Sequence, residues 1–394
     1  MLYLILGSVT FLFSIISSFS GTKEKYVKYL NLTFLMLFFI WGFEYYNTVD
    51  YKVMLLKYNQ VIYGQIQYEN SGEETYIELG CRLLFYLCSP FGNLFYYIIV
   101  ALFEAFVLRL FCKKYIPVRW WWLFIMLILF QFEYATVLMT LKRQMLAIFT
   151  SLLMIYILNE KESVWPRWKT IFVALCLCFL AFNFHKSAIV TILFIPLWML
   201  TKYNYCNKWI LLGITCFYIF QYFFDLSAYS ALFFNLIESQ DEKYAHYALQ
   251  IENGGRDTSV IHIFIEFVTF LLILFSLRYC TKRERIFALA GLFHLLLVNF
   301  FVMDSGRILL PFTVCQLFAI PIAISKLNHI NRFLSSIIAA MFIVISVKST
   351  YQVYTNPDRT SMTEGFKSFN LIFEAPSFQV NNPQSESKKY LPYR

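Results

Sequence analysis

The chain has 394 residues, 59% of them hydrophobic and 20% aromatic but only 14% charged, with a mean hydropathy of +0.59. So little polar surface cannot cover a water-soluble fold of this length, so the composition excludes a soluble protein and implies an integral membrane protein whose partner is the lipid bilayer. The net charge of +9 does not imply nucleic acid, because the basic residues are spread through short connections instead of forming a patch interleaved with aromatics.

A helix needs about twenty apolar residues to cross the hydrocarbon core. The first such run, 2–19, has no basic leader and no small-residue cleavage site, so it reads as a span and not a removable signal. A second run covers 29–44, and the long connection 45–91 follows. Inside that connection, Arg82–Ser89 is closed by Pro90 and Gly92. It reads either as a half-helix dipping into the bilayer or as the broken start of the next span. Further spans are predicted at 92–112, 120–139, 143–158, 170–185, 187–201 and 208–224. The second long connection, 225–258, mixes aromatics with charges over 226–252, which suits one or two interfacial helices ending at the turn Asn253-Gly254-Gly255. Spans at 259–279, 285–303, 308–325 and 332–350 complete the series, and a polar tail with Pro357, Pro376, Pro383 and Pro392 runs from 351 to 394. The predicted fold is therefore all-α: one polytopic membrane domain over 1–350, with about twelve transmembrane helices and two long extracytoplasmic loops, followed by the tail. No inverted repeat of the transporter kind is visible.

Lys and Arg collect in cytoplasmic loops. The loops after the first, third, fifth, seventh, ninth and eleventh spans hold nearly twice as many as the alternate set, which places the N-terminus and the tail outside. Trp120, Trp121 and Trp122 then read as an aromatic belt at the inner interface, and Trp41, Tyr45 and Tyr46 as one at the outer. The cysteines, several of them inside apolar runs, form no C-x-x-C pair and have no histidine at metal spacing, so they read as small apolar fillers.

Against that orientation, a recurring set of charges lies on the outer side. Lys142-Arg143-Gln144 opens the fifth span, His185-Lys186-Ser187-Ala188 forms the hairpin between the sixth and seventh, Arg256-Asp257 ends the second long loop, and Asp304-Ser305-Gly306-Arg307 joins the tenth and eleventh. Cations there ask for an anionic partner. Each also has a plainer explanation: Arg143 snorkelling to headgroups, His185 as a satisfied polar residue, Asp304 paired with Arg307. The first long loop carries Asp50, Glu78 and Arg82 among many tyrosines, a surface suited to sugars because rings stack on apolar sugar faces and carboxylates accept from hydroxyls. Glu104 and Arg109 are the one deeper charged pair, placed for a local ion pair. No carboxylate cluster has metal spacing, and no cofactor is expected.

The tract Arg143-Gln144-x-x-Ala147, the later Phe184-His185-Lys186-Ser187-Ala188 and an Arg307 opening a late span, with Asp50-Tyr51 and Glu78-Leu79-Gly80 upstream, resemble the EpsG-like family of polysaccharide polymerases, relatives of Wzy-type O-antigen polymerases. The resemblance covers about 40–325. Two departures stand out: Lys142 precedes the arginine where a small or apolar residue is usual, and Leu79 stands where proline is common. The resemblance implies a multi-pass enzyme of the bacterial inner membrane with a GT-C-like glycosyltransferase architecture. It would polymerise undecaprenyl-diphosphate-linked oligosaccharide units into O-antigen, capsule or exopolysaccharide, with a chain-length regulator as a possible partner. In that reaction a sugar hydroxyl displaces a diphosphate at an anomeric carbon. Arg143 and Arg307 would hold the leaving diphosphate, His185 would act as base or phosphate donor with Glu78 or Asp304 in reserve, and Lys142, Gln144, Lys186, Arg256, Arg82 and Asp50 would line the substrate. Two alternatives stay open: an O-antigen ligase, and a lipid-linked oligosaccharide flippase.

Overall fold

Where no water is available, a backbone must satisfy its own polar groups, and the apolar runs of this chain do so as helices. The computed structural model describes residues 2–43, 49–63, 77–131, 134–135, 138–139, 142–203, 205, 208–223, 260–297 and 308–355. The helices are α1 (Leu2–Phe19), α2 (Lys23–Gly42), α3 (Val49–Tyr63), α4 (Leu79–Cys88), α5 (Asn93–Tyr115), α6 (Trp121–Phe130) and α7 (Lys142–Glu160) in the first half. They continue as α8 (Arg167–Phe184), α9 (Phe194–Leu200), α10 (Lys208–Phe223), α11 (Val260–Ser276), α12 (Lys282–Leu297), α13 (Leu310–Ile330) and α14 (Arg332–Thr355). No strand occurs among the described residues, in line with the all-α expectation.

Helical structure occurs at each of the twelve expected spans, but among the described residues only five helices, α1, α5, α8, α13 and α14, are long and apolar enough to cross a membrane by length and composition. The seventh expected span shows why the number differs. Residues Lys186–Leu193 form a 3₁₀ helix before the short α9. The β-branched run Ile189-Val190-Thr191-Ile192 disfavours a regular α-helix, and the Thr191 hydroxyl donates to the Ala188 carbonyl at 2.6 Å. The ambiguous stretch at 82–89 belongs to a helix of its own, α4. A 3₁₀ turn, Ser89–Phe91, and Gly92 at φ +87° separate it from α5.

The core is aromatic and centres on α13, most of whose residues are buried. Phe318 meets Phe111 of α5, Phe124 of α6 and Phe287 of α12, with ring centroids 5.7, 4.9 and 5.2 Å away. α14 packs one face on this core through Ala339, Phe342 and Val353 and leaves Phe333, Val344 and Val347 exposed on the other, as a lipid-facing helix does. Of the two expected interfacial belts, Tyr45 and Tyr46 lie outside the described residues and Trp122 is half-buried, but the other tryptophans pack inside the protein instead of facing lipid headgroups. Trp121 and Trp41 are each 1% exposed and Trp120 is also buried, all three within the hydrophobic core. The Trp121 indole donates to the Ile116 carbonyl at 2.9 Å and meets Tyr26 edge-on.

The two ends of α7 mark two ends of the bundle. At its C-terminal end, Glu160 binds Lys114 at 3.0 Å and Arg283 at 3.4 Å, Glu162 binds Lys202 at 3.0 Å and also Lys282, and Glu284 binds Lys326 at 2.8 Å. These cations come from the loops assigned to the cytoplasm. Burial raises the Glu162 carboxyl, but hydrogen bonds and charge from Lys282 and Lys202 outweigh it and hold the group below the usual carboxylate range.

Candidate functional site

At the other end of α7 its first three residues form a tripod. Successive residues of an α-helix point about 100° apart, so Lys142, Arg143 and Gln144 reach three different neighbours. Lys142 approaches Glu104 of α5, Nζ to Oε2 3.6 Å, with both side chains almost fully buried. Arg143 donates through Nη1 to Glu78 Oε2 at 2.8 Å, and Gln144 donates through Nε2 to Ser187 Oγ at 3.2 Å. One tripeptide thus ties α7 to α5, to the start of α4 and to the start of the 3₁₀ helix. The Lys142–Glu104 pair corrects the expected Glu104–Arg109 pair: Arg109 instead donates from Nε to Asn31 Oδ1 of α2 at 2.8 Å. The pair is also not at a rim, since Glu104 lies eleven residues into α5, roughly 16 Å along its axis.

His185 caps α8 in an extended conformation. Its Nδ1 accepts the Ser187 backbone N–H at 3.3 Å and lies 2.7 Å from Ser187 Oγ. A backbone N–H can only donate, so this contact suits the tautomer in which Nδ1 accepts and Nε2 carries the proton. The polar chain then runs in one sense, from the Gln144 amide to the Ser187 hydroxyl to His185 Nδ1.

The small residues of the same motifs bring the backbones together. Ala147, one turn beyond Arg143, packs with Ala181 and Ala188. Gly80 faces the last turn of α8 so closely that a Cβ would stand 2.7 Å from the Asn183 carbonyl oxygen. The next residue, Cys81, donates its thiol to the Phe184 carbonyl at 3.3 Å. This contact sets Glu78, the residue before α4, against Arg143.

Glu78, Arg143, Gln144 and His185 therefore stand together, with Lys142 behind them. Arg82 and Lys186 are exposed, Arg82 one residue after Cys81 on α4 and Lys186 one after His185. Asp50 lies on α3, and its side chain is outside the described residues, as are Arg256, Asp304 and Arg307 altogether. Sequence reasoning missed Glu104 as the partner of Lys142 and Ser187 as the link to His185. The signal for Glu104 was a carboxylate inside an apolar span, which demands a partner. Among the described residues no group of three His, Cys, Asp or Glu side chains is placed to hold a metal.

The family model of the EpsG family matches residues 27–367, a longer stretch than the 40–325 over which the motifs carried the resemblance. Among curated proteins and among solved structures no match is found. The matched stretch takes in the Arg143 tract, the His185 hairpin and the Glu78 segment, and the chain belongs to the EpsG family, a polysaccharide-polymerase-like class of membrane protein.

Proposed function

We propose that this protein joins undecaprenyl-diphosphate-linked oligosaccharide units into a polysaccharide at the outer face of the bacterial inner membrane. The observation that carries the reading is Arg143, partly exposed, spending one N–H on Glu78 while the rest of its guanidinium can serve a ligand. A planar fork of five N–H groups matches two phosphate oxygens and strengthens its hold as charge develops on the leaving group. Lys186 and Arg82 add positive charge nearby, and His185 offers its Nε2 proton to a phosphate oxygen. Lys142, with its ammonium on Glu104, supports the site from behind. Arg307, Asp304, Arg256 and Asp50 complete the proposed lining.

In the reaction a hydroxyl oxygen of the acceptor sugar attacks the anomeric carbon of the donor. The bond from that carbon to the diphosphate oxygen breaks, and the diphosphate leaves with the electron pair. The hydroxyl proton passes to a carboxylate. In the tautomer that suits the hydrogen-bond chain His185 is a donor, so Glu78 is the better acceptor, released for the task when the diphosphate draws Arg143 away. The flippase alternative calls for ionisable groups lining a path across the bundle. The buried charges described here are instead engaged with each other, Lys142 with Glu104, and the half-buried Arg109 binds Asn31, which favours the enzyme.

In cells, Arg143→Ala and Arg307→Ala are each expected to abolish long chains and leave single repeat units on lipid, with the protein still in the membrane. Normal chain lengths in both variants would refute the catalytic assignment.

A further inference from the structure

Tyr96 precedes Val100 by one turn and Glu104 by two on α5, so the three share one face. The ring is 1% exposed and held edge-on between Phe85 of α4 and Tyr97, at centroid distances of 4.9 and 5.4 Å. Leu146 of α7 belongs to the same cluster. So does Cys81, one turn after Glu78, while Leu146 stands one turn after Arg143, so the cluster lies beside the Glu78–Arg143 pair; the Tyr96 hydroxyl oxygen itself has no hydrogen-bond partner.

A buried hydroxyl without a partner is destabilising, and phenylalanine would fill the same volume without that cost. A partner that reaches the hydroxyl in another state of the molecule would remove that cost. Arg143 is the neighbour able to do so. In the structure its Nη1 serves Glu78, and a guanidinium that turns to bind a diphosphate still has N–H groups left over.

We propose that Tyr96 is a positioning residue for Arg143: its hydroxyl oxygen accepts an N–H of the guanidinium once a diphosphate has drawn Arg143 off Glu78, and so keeps the fork aimed at the phosphates. The proposal rests on Arg143 being the diphosphate-binding residue. It adds a second resting place to that side chain, Glu78 in the free protein and Tyr96 in the loaded one.

The test uses the purified full-length protein with lipid-diphosphate-linked repeat units. Tyr96→Phe keeps the ring and its packing, so the ligand-free protein is expected to unfold at the same temperature as the wild type or higher. Its kcat is expected to fall about tenfold, the scale of one hydrogen bond to a charged group, with KM little changed. In an Arg143→Lys background, where no fork exists to hold, adding Tyr96→Phe is expected to cost nothing further. Wild-type turnover in Tyr96→Phe, an equal loss in both backgrounds, or an activity loss matched by lower thermal stability would each overturn the role. A wild-type protein that builds no chains would instead overturn the polymerase reading itself.

Discussion

Glu78 is the residue on which the proposed chemistry turns, because it binds Arg143 in the structure and is the proton acceptor in the proposed reaction. Glu78→Gln keeps the size of the side chain and an oxygen for Arg143 but cannot take a proton. It is expected to lower the rate of chain growth at least about a hundredfold, the usual scale of a lost general base, while the protein remains folded. Growth within a few-fold of wild type would remove Glu78 from the reaction. At this scale the sequence was informative where a charge breaks an apolar run: Arg143 and His185 stand out in that way, and the structure brings their two tracts into contact through Gln144 and Ser187. It was silent on partners. Glu104 and Arg109 are near neighbours on one helix, and nothing local says that each turns to a different helix, one to Lys142 and the other to Asn31. Tyr96 gave no signal at all, since one more tyrosine in an aromatic-rich span reads as packing.

Between elements, the tightest fit at the site is the first turn of α4 against the last turn of α8. Gly80→Ala would push a methyl group to 2.7 Å from a backbone carbonyl, and no side chain can move aside to admit it. The helices must separate, which strains both the Cys81–Phe184 and Glu78–Arg143 contacts. The variant is expected to unfold more readily, by about 1–3 kcal/mol, and to elongate chains poorly. Wild-type thermal stability together with wild-type elongation would show that the close approach is not needed. Helices were legible because apolar length is a direct requirement of the bilayer, and α4 was half legible because Pro90 and Gly92 punctuate it. The two tryptophan belts were not. Tryptophan at a helix end suits either an interface or a core, and only the packing of helix on helix decides between them, here placing Trp41, Trp120 and Trp121 in the core.

Across the whole molecule the two ends carry charge differently. The end with Arg143 gathers its charges around a few side chains, whereas the opposite end ties α5, α7, α12 and α13 and the segment after α9 into a clasp of ion pairs on Glu160, Glu162 and Glu284. The depressed Glu162 carboxyl gives that clasp a pH dependence. Its contribution is complete above the ordinary carboxyl value of 4.5 and is lost as pH falls through the lower folded value. Thermal stability is therefore expected to hold from pH 7 to about 5 and to decline below that. Glu162→Gln should start lower and decline less steeply, though the effect is modest because its lysine partners are partly solvent-exposed. A decline equally steep in the variant would assign the acid sensitivity elsewhere.

The central claim, that the end of the bundle bearing Arg143 polymerises lipid-linked sugars, is tested most directly by incubating the purified protein with lipid-diphosphate-linked repeat units and resolving the products by length. A ladder of longer glycans from the wild type, absent from Arg143→Ala, is the predicted result. Single units left unchanged, or consumed only after a lipid A core acceptor is added, would contradict it, the second outcome pointing to a ligase.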